Sequence, residues 1–250
     1  ADGRMTGVDE SAPALNPTLY RKSSKYLRLA RWMSRYHRTR VEGKPPDGQC
    51  IYVTHHGAGY LSGDLAIAIY HLAWSDWFEH GGAARPLAVA AVQGNPLERA
   101  VPGIARLKRD IGLIDPSERS CLQALGEGRQ LLLTPGGRRE STPRARHYRL
   151  RWNDRYGFAR LAVRTGVPVV PLATVGGFAA YPGFTLGRLS FWSPVPLPVR
   201  LDIGIGTPIA VARDPDHARD VAVLKPVQER VRQATQDLYD RLLARRRGGA

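Results

Sequence analysis

The sequence predicts an α/β fold, a single domain in which a mostly parallel sheet is flanked by helices. Short apolar runs recur along it, among them the β-branched and aromatic Ile51-Tyr52-Val53-Thr54, then Leu131-Leu132-Leu133-Thr134 and Val167-Pro168-Val169-Val170. Runs of this kind suit strands buried on both faces. Segments of helical length and periodicity separate them, and that alternation is the pattern of helices packed on a parallel sheet. The chain has 250 residues, 43% of them hydrophobic and 24% charged, which is ordinary for one domain large enough to bury a real core.

Taken in order, residues 1–17 are polar and proline-bearing and read as a flexible tail. In residues 18–38, Tyr26, Leu27, Leu29, Ala30, Met33 and Tyr36 lie among Arg21, Lys22, Lys25, Arg28, Arg31, Arg35 and Arg38. This is a basic amphipathic helix, able to cover the domain's core or to lie in an anionic membrane interface. Val41 to Gly48 reads as a turn into the strand at Cys50 to Thr54. Leu65 to Phe78 supplies a helix and Arg85 to Val92 a strand, while Pro96 and Pro102 break the stretch from Asn95 to Arg109. Ile111 to Ile114 is a brief strand. Pro116 to Glu127 is a helix begun at Asp115 or Ser117 and stopped by Gly128. A strand follows over Arg129 to Thr134, then a helix over Tyr156 to Thr165 with Gly166 as its stop, then a strand over Val167 to Ala173. Leu186 to Val199 reads as a hairpin or a cover over the site, and Arg200 to Gly206 as a late strand. The chain closes on an amphipathic helix over residues 225–247, with Val227, Val231, Ala234, Leu238 and Leu242 on one face. Its Arg245-Arg246-Arg247 end suits the negative pole of the helix dipole.

Lys and Arg number 37 against 22 Asp and Glu, a formal +15, so the expected partner is anionic: a nucleic acid, an acidic membrane surface or a phosphorylated substrate. Nucleic acid ranks last, because no zinc, helix-turn-helix or RNA-binding signature accompanies the charge. Two cysteines, Cys50 and Cys121, lack metal-ligand spacing and are too few to staple a fold of this length. The longest apolar runs, near Leu65 to Leu72 and Val167 to Val175, fall short of the roughly 20 residues that span a bilayer. The N-terminus lacks the apolar core of a signal peptide, and Met5 reads as a natural start. The expectation is a cytoplasmic protein associated peripherally with the inner face of the membrane.

Chemistry concentrates in Thr54-His55-His56-Gly57-Ala58-Gly59-Tyr60-Leu61-Ser62-Gly63-Asp64. A strand ends in paired histidines, and a glycine-rich loop leads to an aspartate that opens an apolar helix. His56 is the candidate general base. A carboxylate on its far nitrogen would fix the tautomer and stabilise the imidazolium, and Asp64 is the candidate orienter, since the loop glycines let the chain fold back. The alternative is that Asp64 caps the helix and the histidines serve loop backbone groups. His55 reads as structural, and Ser62 lacks the Gly-x-Ser-x-Gly surround of a nucleophile elbow. A second candidate stretch, Pro135-Gly136-Gly137-Arg138-Arg139-Glu140, comes after the strand at Leu131. Two glycines let backbone N–H groups approach an anion or a developing oxyanion, and arginines fork onto phosphate or carboxylate. A plain Pro-Gly-Gly turn with solvated arginines is the alternative.

The order of the motifs narrows this. His56 to Asp64, then Glu127-Gly128-Arg129 through Glu140, then Arg155-Tyr156-Gly157-Phe158-Ala159-Arg160-Leu161-Ala162 and Gly166-Val167-Pro168-Val169-Val170-Pro171 together resemble the glycerolipid acyltransferase superfamily (PlsC-like). More narrowly, they resemble its diacylglycerol acyltransferase 2 and TMEM68-like branch, bacterial members included. The likeness covers residues 40–210. It implies acyl transfer from a thioester, acyl-CoA or acyl carrier protein, to a lipid or other alcohol hydroxyl, with His56 as base, Asp64 as orienter and no metal or cofactor. Pro135, Gly136, Gly137, Arg138, Arg139 and Glu140 would bind substrate. Arg144, Arg146 and Arg149 are further candidates for phosphates of coenzyme A, an acidic carrier or lipid headgroups. Two departures stand out: seven residues separate His56 from Asp64 where the superfamily signature has four, and Thr134-Pro135-Gly136-Gly137 replaces a Glu-Gly-Thr-Arg block. The second shifts the expected acceptor from lysophosphatidate toward a neutral or lysolipid hydroxyl. A lipid or thioester hydrolase and a non-catalytic protein that binds anionic lipid are the other readings.

Overall fold

A computed structural model describes residues 17–56, 63–75, 87–90, 112–137, 140, 149–186, 189–193 and 195–248; for 17–26, 63–65, 189–190 and 192 it describes the backbone path alone. Helix α1 (Pro17–Tyr36) leads to strand β1 (Arg40–Glu42), and β2 (Ile51–Thr54) is followed by α2 (Gly63–Ala73). Next come β3 (Leu87–Ala90), β4 (Leu113–Ile114), α3 (Glu118–Gly126), β5 (Gln130–Leu133), α4 (Gly157–Thr165) and β6 (Val169–Val175). A short α5 (Gly177–Ala180) enters a hairpin of β7 (Gly183–Leu186) and β8 (Leu189–Trp192). Strand β9 (Asp202–Ile205) and the long α6 (Val221–Gly248) finish the chain.

Among the described residues, seven strands form one sheet in the order β1-β9-β6-β2-β5-β3-β4, while β7 and β8 pair apart from it. The five strands β6, β2, β5, β3 and β4 run parallel; β9 lies antiparallel to β6 and carries β1 parallel to itself. This is the mostly parallel, helix-flanked sheet that the alternation of segments predicts. Strand β2 sits at its centre with all four residues buried. Its side chains divide by parity. Tyr52 packs with Leu27 of α1, Ile67 and Tyr70 of α2, Leu132 and Leu172 on one face. Ile51 and Val53 pack with Cys121, Leu131, Phe158, Leu161 and Val231 under α3, α4 and α6 on the other. Both faces are covered, which is why the strand reads as an unbroken apolar run rather than an alternating one.

Several boundaries follow local chemistry. Ser117 caps α3 by accepting the Ser120 N–H (3.3 Å). Gly166 ends α4 in the left-handed conformation, φ +75°, where a Cβ would be strained. Helix α1 spans Pro17–Tyr36 rather than residues 18–38, since Arg38 turns to φ +47° and Thr39 N–H donates back to Ser34 O. The stretch after it, expected as a turn, contains β1. That strand exists through its pairing with β9, a partner more than 150 residues away that no local signal announces. The hairpin starts at Gly183 rather than Leu186. Helix α6 begins at Val221 rather than residue 225, and its buried face includes the polar Gln228 and Thr235 while Ala234 is only half-buried. Gln228 reaches main-chain carbonyls of Asn153 and Arg155, and Thr235 Oγ1 donates to Val231 O, so burial leaves neither unsatisfied. The arginines at its end do more than complement a dipole. Arg246 joins Arg200 on the buried Asp202 carboxylate, and Arg245 pairs with Glu42 of β1 (2.8 Å), so they fasten the β1-β9 edge. Of the tail expected over residues 1–17, Pro17 opens α1 and residues 1–16 lie outside the described residues, as does the stretch over 91–111.

Candidate active site

The parallel strands β2, β5 and β6 deliver their carboxyl ends to one rim of the sheet, which is where an open α/β sheet presents its loops for binding and chemistry. A cleft at this rim is lined by His55, His56, Glu140, Arg149, Leu150, Phe178 and Tyr239.

Directly after β2 the chain leaves the sheet through His55 and His56, both nearly buried yet both on the cleft. Their rings do different things. His55 Nε2 lies 2.9 Å from Thr174 O and 3.1 Å from Thr174 N in β6, its Nδ1 lies 3.3 Å from His56 O, and its ring meets Tyr239 of α6 edge-on with centroids 4.7 Å apart. This ring braces β2 against β6 and α6. The His56 main chain is held as well: its N–H donates to Glu140 Oε2 (3.2 Å).

Glu140 arrives from the loop after β5. Gly137 N–H donates to Thr134 O (3.1 Å) in a tight turn, Gly137 takes φ +52°, and Glu140 N–H donates to Gly137 O (3.0 Å), which holds Glu140 next to that turn. The Glu140 carboxylate comes to rest against Gly136. A Cβ on that glycine would fall on the Glu140 carboxyl group, so a larger residue there would have to displace the carboxylate from its donors. Its other oxygen, Oε1, accepts the Arg151 N–H (2.7 Å). One buried carboxylate therefore ties together the segments after β2, after β5 and before α4. Burial pushes its pKa up; the Arg151 N–H, the nearby His55, the His56 N–H and the Trp152 side chain act against that rise without cancelling it.

The other sequence candidates divide between this rim and segments outside the described residues. Pro135, Gly136 and Gly137 form the turn that seats Glu140. Glu140 lines the cleft with both oxygens already on main-chain donors. Asp64 is the second residue of α2, and its side chain lies outside the described residues, as do Gly57, Gly59, Ser62, Arg138, Arg139, Arg144 and Arg146. Arg149 is exposed at the cleft edge. Sequence reasoning missed Phe178, Thr174 and Tyr239. Tyr239 shares a face of α6 with Val231, Thr235 and Leu242, so helical periodicity carried a signal for its burial but none for its contact with His55.

No protein-family model matches the chain. An uncharacterized protein of Mycobacterium tuberculosis is 30% identical over 277 aligned residues, covering 98% of this chain and 72% of that protein. The solved 1-acyl-sn-glycerophosphate acyltransferase PlsC of Thermotoga maritima shares the fold, with a TM-score of 0.54 over 90% of this chain and 84% of its own at 20% identity. A human "DGAT1/2-independent enzyme synthesizing storage lipids" is 26% identical over 212 residues, 80% of this chain and 60% of its own. The chain belongs to the glycerolipid acyltransferase superfamily. This superfamily member spans about three-fifths of the length of the human storage-lipid relative and 19% of phytyl ester synthase 2 of Arabidopsis thaliana, to which it is 28% identical.

Proposed function

We propose that this chain is an O-acyltransferase that moves an acyl group from acyl-CoA or acyl carrier protein to the hydroxyl of a lipid or other alcohol, at the rim formed by β2, β5 and β6. The observation that carries the reading is the meeting of His56 and the Pro135–Gly137 turn at the ends of neighbouring parallel strands, with Glu140 bridging them through the His56 N–H. Membership in the superfamily supports it, as do relatives named for the synthesis of storage lipids and of phytyl esters.

In this reading His56 takes the proton of the acceptor hydroxyl as its oxygen attacks the thioester carbonyl. Nδ1 of His56 is buried, so Nε2 is the nitrogen that receives it. Asp64, in the first turn of α2, is the proposed orienter on the Nδ1 side. The tetrahedral intermediate collapses with loss of the C–S bond, the imidazolium returns the proton to the departing thiolate, and ester and free thiol leave. No acyl-enzyme, metal or cofactor takes part. Glu140 acts through position: with its oxygens on the His56 and Arg151 main chains it sets where the imidazole stands. The acceptor is proposed to be a neutral or lysolipid alcohol, the donor phosphates to meet Arg149 at the cleft together with Arg138, Arg139, Arg144 and Arg146, and the protein to work at the inner face of an anionic membrane.

The test is incubation of labelled acyl-CoA or acyl carrier protein with monoacylglycerol, long-chain alcohol or lysophosphatidate, followed by lipid mass spectrometry. A labelled ester, lost in a folded His56→Ala variant, is the expected result. General-base removal costs on the order of 10²–10⁴-fold. Free fatty acid in place of ester would mean hydrolysis, and wild-type turnover by folded His56→Ala would end the base assignment. Asp64→Asn is expected to keep binding and lose rate.

A further inference from the structure

The β7–β8 hairpin is built inside out. It is a two-stranded sheet of its own, and a lone pair of strands is marginal in water. Along β7 the small and polar Gly183 and Thr185 are half-buried, whereas Phe184 and Leu186 are 63% and 69% exposed. Phe184 pairs across the hairpin with Phe191, their rings stacked at 5.1 Å and Phe191 itself 44% exposed. Its base is nonetheless fixed to the domain, since Ser193 N–H donates to Pro182 O (2.9 Å) and Leu197 N–H to Ala180 O (2.8 Å). The apolar surface continues through the exposed Val195 and Leu197. At Pro196 it meets α1: Tyr36 Oη donates to Pro196 O (3.0 Å), and Tyr36 stacks on Trp32, which with Leu29 is more than half exposed. Interleaved on the same outer side of α1 are the exposed Arg28 and Arg35, with Arg38 and Arg40 beyond its end.

Contiguous apolar surface of this kind on a soluble domain marks an interaction site. Its chemistry, aromatic and aliphatic side chains bordered by Trp, Tyr and arginines, is that of an interfacial membrane contact. A second copy fits poorly, because two chains of formal +15 repel one another. We propose that the hairpin and the outer side of α1 form one membrane-docking face, in which Phe184, Leu186, Phe191 and Val195 enter the acyl region of an anionic phospholipid leaflet while the α1 arginines hold its phosphates. Attachment then has an apolar component that salt does not screen, beyond the electrostatic attraction that net charge alone implies. The hairpin follows directly on α5, whose Phe178 lines the cleft, so docking sets the cleft wall beside the lipid. This inference concerns attachment and stands whether or not the chain transfers acyl groups.

The experiment is cosedimentation of the full chain with phosphatidylcholine vesicles containing phosphatidylglycerol, in low and in 1 M salt, comparing wild type with a Phe184→Ser/Phe191→Ser double variant. Two phenyl groups leaving the acyl region are expected to weaken partitioning about 10- to 100-fold. Wild type is expected to retain binding in high salt that the double variant loses. Unchanged circular dichroism and melting temperature would establish that the variant is folded. Phe184→Trp, which keeps the apolar character, is expected to add a blue-shifted emission component on vesicle addition, quenched by brominated acyl chains. Equal binding by wild type and double variant, complete release of wild type by salt, no vesicle-induced shift at position 184, or a wild-type dimer that the double variant dissolves while vesicle binding persists would each overturn the proposal.

Discussion

Replacing Glu140 by Gln tests the bridge beneath His56 with the least change of shape. The carboxylate accepts two main-chain N–H groups, Arg151 at 2.7 Å and His56 at 3.2 Å. An amide has one oxygen, so one of those donors must face an NH₂ group. The shorter bond marks Arg151 as the partner that keeps the oxygen, and the His56 N–H as the one displaced. A hydrogen bond to a charged group contributes about 1.5–3 kcal/mol, and a buried donor left unmade costs about 1–3 kcal/mol. Against this, the substitution relieves the burial of a charge, whose cost is evident in the upward push on the Glu140 pKa. The net destabilisation at neutral pH is therefore expected at the low end, about 1 kcal/mol, which for a domain of this size lowers Tm by about 2–4 °C. The pH dependence has a definite sign. With its folded pKa above the unfolded value, native Glu140 holds a proton that the unfolded chain has released, so its contribution to stability is fully present below the unfolded pKa and falls as pH rises through the window between the two. The stability advantage of wild type over Glu140→Gln should accordingly be larger near pH 4 than near pH 8. Denaturant melts of both proteins across that range measure it, and taking the difference removes the titrating groups remote from Glu140. An advantage that grows with pH, or a variant as stable as wild type throughout, would refute the bridging account. Because His56 moves with its displaced N–H, ester formation should also fall, with kcat affected more than KM.

Gly136→Ala should destabilise the fold, since its Cβ would sit on a Glu140 carboxyl that two main-chain donors hold in place; a double-mutant cycle with Glu140→Ala should return most of that cost, as truncation removes the atoms in the way. His55→Ala should lower the melting temperature more than His56→Ala while costing less ester formation, because the His55 ring braces Thr174 and Tyr239; thermal melts beside single-turnover assays separate the two. Substituting Arg138 and Arg139 together should raise KM for the acyl donor more than for the acceptor, and an effect confined to a lysophosphatidate acceptor would reverse that assignment.

Much of the architecture is a local consequence of composition. Strand β2 had to be buried on both faces because Ile51, Tyr52 and Val53 leave it no polar side, and α3 and α4 had to stop where they do because Gly128 and Gly166 accept a backbone conformation other residues resist. The order of the His56 loop, the Pro-Gly-Gly turn and the Val-Pro strand was enough to mark the superfamily. What tertiary structure decided are relations between distant segments. Strand β1 is polar and exposed enough to pass for a turn, and it becomes a strand only when β9 supplies its hydrogen bonds. Glu140 stands beside two arginines in sequence and reads with them as a substrate-binding candidate, yet its carboxylate lies inward on the His56 and Arg151 main chains. Strand β7, Gly183-Phe184-Thr185-Leu186, begins before the hairpin expected from Leu186 onward, and its alternation does not say which face is wet. A period of two fixes the relation between side chains and leaves its sign to whatever lies on either side of the sheet.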